Sequence, residues 1–223
     1  MALKKLSISD MTPEELRVPL MEAMMDHIAF DGWSVAALNN AASDLGISSE
    51  MAELAFPRGA IEVLELHLEC ADTRLMQTLT DMNLPSMRIR DRITVAVKTR
   101  LEQNTEYREA IARALALLAM PQHVALGPKA LWRTADTMWR AAGDTSTDHN
   151  WYTKRMTLSG VYSAVLLYWL NDESDQFEDT WEFLDRRIED VMKIEKTKFE
   201  MRKATANMPS LSRFLGRLRF PSI

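Results

Sequence analysis

Apolar residues recur along this chain every three or four positions, the period of a helix with one buried face, and sustained strand-like alternation is missing. The first segment opens with Thr12-Pro13-Glu14-Glu15, which combines a capping hydroxyl, proline at the first helical position and the glutamate of a capping box. Leu16, Leu20, Met24 and Ile28 follow as a stripe that Gly32 ends. Two short helices are predicted next: Val35–Leu45, stopped by Gly46, and a segment capped by Ser48 that ends at Phe56-Pro57. A long fourth helix runs from near Gly59 to about Met82, with Val63, Leu66, Cys70 and Leu75 inward, until Pro85 breaks the pattern. Ile89–Gln103 and Arg108–Met120 are two more, separated at Asn104-Thr105. Pro121 and Pro128 are expected to bracket a turn before a helix marked by Leu131, Ala135, Met138, Trp139 and Ala142. Leu158, Val161, Tyr162, Val165, Leu166 and Trp169 give a clear three-four pattern. Asp175 with Glu178 is expected to cap a last helix, whose stripe is Phe177, Trp181, Leu184, Ile188 and Val191. With 7 Gly and 8 Pro in 223 residues there is little material for a loop-rich β fold, and the predicted class is all-α.

Composition adds a compartment and a charge asymmetry. The single cysteine, Cys70, leaves no disulfide framework and implies a reducing environment. The longest largely apolar run, Leu158–Leu170, is shorter than the ~20 residues needed to cross a hydrocarbon core. The opening residues, MALKKLSISDMTPEELR, have no apolar core of a signal peptide and are acidic for a transit peptide, so a bacterial cytoplasm is expected over a mitochondrial matrix. The formal charge is −5, yet residues 198–223 carry a net +5, which leaves −10 for the remainder. A basic tail on an acidic body points to an anionic surface.

A triplet of short helices followed by longer ones resembles the order of TetR-type regulators, and Gly32–Phe56 resembles their helix-turn-helix, with Gly46 at the tight turn. The segment in the recognition position, Ser48 to Phe56, holds Glu50 and Glu53 and no cation. From Trp33 to Phe56 the only charges are Asp44, Glu50 and Glu53. Since DNA affinity rests on cations neutralising phosphates, this helix-turn-helix is read as degenerate, with no nucleic-acid partner.

Catalytic chemistry is hard to place. The glycines are scattered rather than gathered in a phosphate loop, and neither HExxH nor Glu-x-x-His occurs. His67 and Cys70, three apart, make only two ligands of a metal site, and no second such pair appears. Neither an enzyme nor a metal or cofactor is expected. Six Trp and 15 Met are a heavy load of large, adaptable side chains. Trp132 and Trp139 share one helix face, and Tyr162, Leu166 and Trp169 share another. These faces serve either a plain core or the wall of a ligand cavity.

The stretch Gly143–Arg155, GDTSTDHNWYTKR, is the most specific. Asp148 is a good N-cap, Trp151 and Tyr152 fall in the first turn behind it, and Arg155 lies one turn after Trp151, where it can stack on the indole. Aromatics with arginine at a helix start make either a bundle end or a protein-docking hot spot. This block, followed by FEDTWEFLDRRIED, closely resembles the Coq-nine family of ubiquinone-biosynthesis lipid-binding proteins. A weaker likeness reaches back to about Gly32 through GWSVAALNNAASDLGIS and Leu117–His123. The resemblance implies a TetR-like bundle enclosing an isoprenoid or other lipid, here assigned to Trp132, Trp139, Tyr162, Leu166 and Trp169. It also implies a docking surface at Asp148, Trp151, Tyr152 and Arg155 for the di-iron demethoxyubiquinone hydroxylase.

The tail completes the reading. Leu211, Phe214, Leu215 and Leu218 form one helical face, while Arg213 and Arg217 lie on another. Such a basic amphipathic helix lies in a membrane interface, or else docks on its own domain or on a twin subunit, which leaves a homodimer open. Coq-nine proteins carry a C-terminal membrane-binding helix, and that resemblance favours the membrane. The expected division is therefore 1–56 for the degenerate helix-turn-helix, 57–205 for the lipid-binding body and 206–223 for the membrane helix, joined through a linker at Ala204–Asn207. The expected protein is an accessory factor, peripheral on the bacterial inner membrane, that presents a quinone intermediate to the hydroxylase. The alternative is a ligand-responsive TetR regulator.

Overall fold

The computed structural model describes residues 8–147 and 149–206, and every regular element among them is helical. Nine α-helices follow in order: α1 Pro13–Asp31, α2 Val35–Asp44, α3 Ser49–Ala55, α4 Ala60–Asp81, α5 Ile89–Glu102, α6 Arg108–Leu118, α7 Leu126–Ala141, α8 His149–Trp169 and α9 Glu178–Ala206. The local chemistry read from the sequence sets most boundaries. Thr12 and Glu15 close a reciprocal capping box, with the Thr12 amide donating to Glu15 Oε2 at 2.8 Å and the Glu15 amide to Thr12 Oγ1 at 3.3 Å. Ser34 and Ser48 cap α2 and α3 by accepting from the amides of Ala37 and Met51. Gly46 makes the turn between those two helices at φ 69°, a conformation that a Cβ would strain.

Two boundaries differ from expectation. Pro128 does not end a turn but sits inside the first turn of α7, where its missing N–H has no helical partner to lose. The start of α9 is not capped by Asp175, which lies in a 3-10 turn over Asp175–Phe177. Asp172 and Ser174 take that role. The Asp172 carboxylate accepts from the Thr180 amide at 2.9 Å and the Ser174 amide at 2.8 Å, and Ser174 Oγ accepts from the Asp179 amide. Burial pushes the Asp172 carboxyl up, but the bonds from Ser174 and Thr180 outweigh it and hold it down at about 2.

Two apolar cores are stacked along α4, whose 22 residues span about 33 Å. The first joins α1, α2 and α3 to Ala60, Val63 and Leu64 at the start of α4 and to Ala110 and Ala114 of α6. The region expected as 1–56 thus shares its core with the body. The second joins Leu75 and Leu79 of the same helix to α5, α7, α8 and α9. Within the first core the Trp33 indole N–H donates to the Ala110 carbonyl at 2.9 Å, which joins the α1–α2 connection to α6. Helix α9 runs unbroken to Ala206, so Ala204–Ala206 are helical rather than a linker. The tail residues Leu211, Arg213, Phe214, Leu215, Arg217 and Leu218 lie outside the described residues, as does Asp148. Among the described residues no single helix is long and apolar enough to cross a membrane.

Candidate functional site

An apolar cavity of about 330 Å³ opens where the two cores meet. It lies within the size range of small-molecule sites, ~300–1,000 Å³. Five helices build its wall. Leu64, His67 and Leu68 come from α4, Arg100 and Leu101 from α5, Ile111, Ala114, Leu115 and Leu118 from α6. Gly127, Pro128, Ala130, Leu131 and Thr134 come from α7, and Tyr162, Ser163 and Leu166 from α8, with Trp33 and Asn104 completing the wall. The chain bends by 97° between Thr105–Leu118 and Pro121–Ala141, which splays α6 from α7 and leaves room between their apolar faces.

Only part of the expected lipid wall is there. Tyr162 and Leu166 line the cavity; Trp132, Trp139 and Trp169 do not. Trp169 is 0% exposed in the second core, beside Phe177 at 5.9 Å between ring centroids and beneath the Arg108 guanidinium. Trp139 is turned toward α8, where its indole N–H donates to the Lys154 carbonyl at 3.0 Å. Trp132 faces the start of α8. Sharing a helix face in sequence does not fix the neighbour across it, and α7 presents its tryptophans to α8 rather than to α6. The residues not foreseen, Leu64, Leu68, Leu101, Ile111 and Leu118, look in the sequence like any core-facing leucine or isoleucine.

Polar groups of the cavity wall include Thr134, Arg100 and His67. The carboxylate of buried Asp72 accepts from Thr134 Oγ1 at 2.7 Å and Arg133 Nε at 2.8 Å, and stands 3.4 Å from Arg100 Nη2. His67 is 6% exposed between the rings of Trp33 and Tyr107. Burial lowers its pKa to about 4, helped by the positive charges of Arg100 and Arg74, so the imidazole stays neutral near pH 7. Because the folded value lies below the ordinary 6.5, nothing is lost above that pH. As pH falls from 6.5 toward 4 the unfolded chain takes up a proton that the folded chain refuses. Urea unfolding across that window should show a loss of stability approaching ~3 kcal/mol. His67→Gln should flatten it, and an unchanged slope in the variant would show that other groups are responsible.

A second site lies at the start of α8. Trp132, Trp151 and Tyr152 form an aromatic cluster, with ring centroids 5.6 Å apart for Trp132–Trp151 and 4.7 Å for Trp151–Tyr152. Tyr152 is 58% exposed and Met156, one turn on, is also exposed. The expected stack is present: the Arg155 guanidinium sits 4.1 Å from the Trp151 ring centroid. Yet Arg155 itself is 1% exposed. Its Nε donates to Asp136 Oδ1 at 2.6 Å and its Nη1 to Asp144 Oδ2 at 3.0 Å. Two carboxylates thus hold it beneath the aromatic ring rather than on the surface. Lys154 Nζ approaches the other Asp144 oxygen at 2.6 Å. Burial raises the Asp144 pKa, but hydrogen bonds from Lys154, Ser146 and Arg155 outweigh it and keep the carboxyl well below the usual carboxylate range. Elsewhere on the surface, α3 exposes Glu50, Glu53 and Leu54, and Glu50 is held charged by its own backbone amide and by Ser48.

Residues 124–195, which include the whole aromatic cluster and Asp144, match the COQ9 family model. The chain is 35% identical over 191 residues to a rat protein named ubiquinone biosynthesis protein COQ9, mitochondrial, covering 82% of this chain and 61% of that protein. The human protein of the same name is 34% identical over 191 residues, with 82% and 60% covered. A probable ubiquinone biosynthesis protein coq9, mitochondrial, from Dictyostelium discoideum is 25% identical, with 92% and 68% covered. The chain therefore spans about three-fifths of the length of the mammalian relatives. Their names overturn the expectation of a bacterial cytoplasm and point to the mitochondrion. In fold, the chain is similar to a TetR transcriptional regulator from Nitrosomonas europaea, with a TM-score of 0.63 at 19% identity, covering 78% of this chain and 95% of that one. A tetR-family regulator from Streptomyces coelicolor gives 0.57 at 17% identity, with 93% and 97% covered. Identities this low speak for the fold alone. Over 82% of its length the chain is similar to the mammalian COQ9 ubiquinone biosynthesis proteins, and its helical fold is similar to that of TetR regulators.

Proposed function

We propose that this chain serves ubiquinone biosynthesis as a lipid-binding accessory protein rather than a catalyst. It holds a quinone intermediate or another isoprenoid lipid and presents it to the di-iron demethoxyubiquinone hydroxylase. The observation that carries the reading is the apolar cavity between α4, α5, α6, α7 and α8, in a chain whose relatives are named for ubiquinone biosynthesis. Tyr162 and Leu166 belong to its wall, whereas Trp132 and Trp151 support the docking face that Tyr152 leads. The basic tail from Leu211 to Leu218 brings the protein to an anionic membrane surface. The acidic, exposed α3 favours this reading over a DNA-binding one.

Native mass spectrometry of the purified chain should show a lipid or isoprenoid adduct; protein free of any adduct, even after incubation with ubiquinone precursors, would remove the reading. Docking has its own readout. Tyr152→Ala should weaken association with the hydroxylase by about 2 kcal/mol or more, as an exposed aromatic anchor does, while thermal stability stays unchanged. Unaltered affinity would move the docking surface elsewhere.

A further inference from the structure

The cavity holds a charge that the protein leaves half used. Arg100 is 3% exposed and lines the wall, and its Nε and Nη1 have no hydrogen-bond partner in the protein. Its third nitrogen stands 3.4 Å from Asp72, whose carboxylate is already engaged more closely by Arg133 and Thr134. A guanidinium cannot shed its proton to escape burial, and unmade hydrogen bonds in a dry site are costly. The Tyr162 hydroxyl also meets the guanidinium, but Nε and Nη1 stay without a partner, His67 is neutral and Leu64, Leu101 and Leu131 are apolar. The unspent donors of Arg100 are therefore matched to something that enters the cavity.

Resting on the lipid-binding reading, we propose that Arg100 selects the ligand. The cavity takes an amphiphile head first, and an oxygen acceptor on that head, a conjugated carbonyl or a carboxylate, accepts hydrogen bonds from Arg100. The tail lies along Leu68, Leu118 and Leu131, toward the splayed α6–α7 side. A hydrocarbon of the same shape fills the same space but leaves the guanidinium unpaired, so the site discriminates by head chemistry rather than by size.

Three probes test this on the full chain: decylbenzoquinone, palmitate and decylbenzene, the last an acceptor-free match to the first. Wild-type protein should bind at least one oxygen-headed probe about tenfold or more tightly than decylbenzene, the scale of a charge-assisted hydrogen bond. Arg100→Met, similar in length and without donors, should erase that advantage and leave decylbenzene binding unchanged. Preference for decylbenzoquinone assigns a neutral ring carbonyl, and preference for palmitate assigns a carboxylate. If Arg100→Met does not fold, Arg100→Lys carries the same comparison, with a loss confined to the oxygen-headed probes. Equal binding of all three probes by wild type, or oxygen-headed binding untouched in the Arg100 variants, overturns the proposal while the lipid cavity stands. Binding of none of the probes overturns both.

Discussion

Arg155→Ala should destabilise the fold by about 3–5 kcal/mol, the cost of removing one partner from a buried ion pair. The side chain is all but inaccessible and holds two carboxylates at once, Asp136 and Asp144. After truncation Asp144, whose side chain is nearly inaccessible, keeps Lys154 and the hydroxyl and amide of Ser146. The same change removes the platform beneath Trp151, so the aromatic cluster should loosen with it. At ~2–4 °C per kcal/mol for a chain of this size, the midpoint of thermal unfolding should fall by roughly 10 °C. The sign of the pH dependence follows from Asp144. Its pKa is depressed in the folded state, so its contribution is in place above the ordinary 3.8 and is lost as pH falls below that value. Arg155→Ala should therefore differ most from wild type near neutral pH and converge with it in acid. A loss below about 1 kcal/mol would show that the pair is solvated and that Arg155 is free to meet a partner.

Trp169→Ala should also cost about 3–5 kcal/mol, as large-to-small changes of fully buried tryptophan do. The ring packs against Phe177 beneath Arg108, outside the wall of the cavity. Lipid content per folded molecule should therefore stay at the wild-type level, measured by native mass spectrometry below the unfolding temperature. A variant that kept its stability and lost its lipid would return Trp169 to the binding site. The contrast with Tyr162, seven residues earlier, is instructive. Both side chains follow the same three-four pattern along α8, and both are buried. Tyr162 meets the space left by α6 and α7, whereas Trp169 meets the turn at Phe177 before α9.

By itself the sequence determined the elements of this protein. Capping residues, proline positions and three-four stripes act over one or two turns, so Thr12–Glu15, Ser48 and Gly46 specify their boundaries without help from the rest of the fold. The stack of Arg155 on Trp151 was legible for the same reason, since residues four apart in a helix are neighbours. The family blocks around Trp151 and Phe177–Asp190 were legible as strings of specific residues. What only the tertiary structure decided is which buried face meets which. Period marks Leu131 as inward-facing and passes over Leu64, and a cavity wall and a packed core use the same residue types at the same spacing. The 97° bend between α6 and α7 turns these faces into a wall, and no local signal carries that angle. Arg155 and Arg100 make the same point from the polar side. Arg100 reads in the sequence as an ordinary helical arginine and Arg155 as one that stacks on Trp151 at a docking surface; neither reads as buried. Burial depends on Asp136 and Asp144 in one case and Asp72 in the other, partners contributed by other elements of the fold. One guanidinium is fully engaged on both sides and supports a surface; the other keeps unspent donors in a cavity wall.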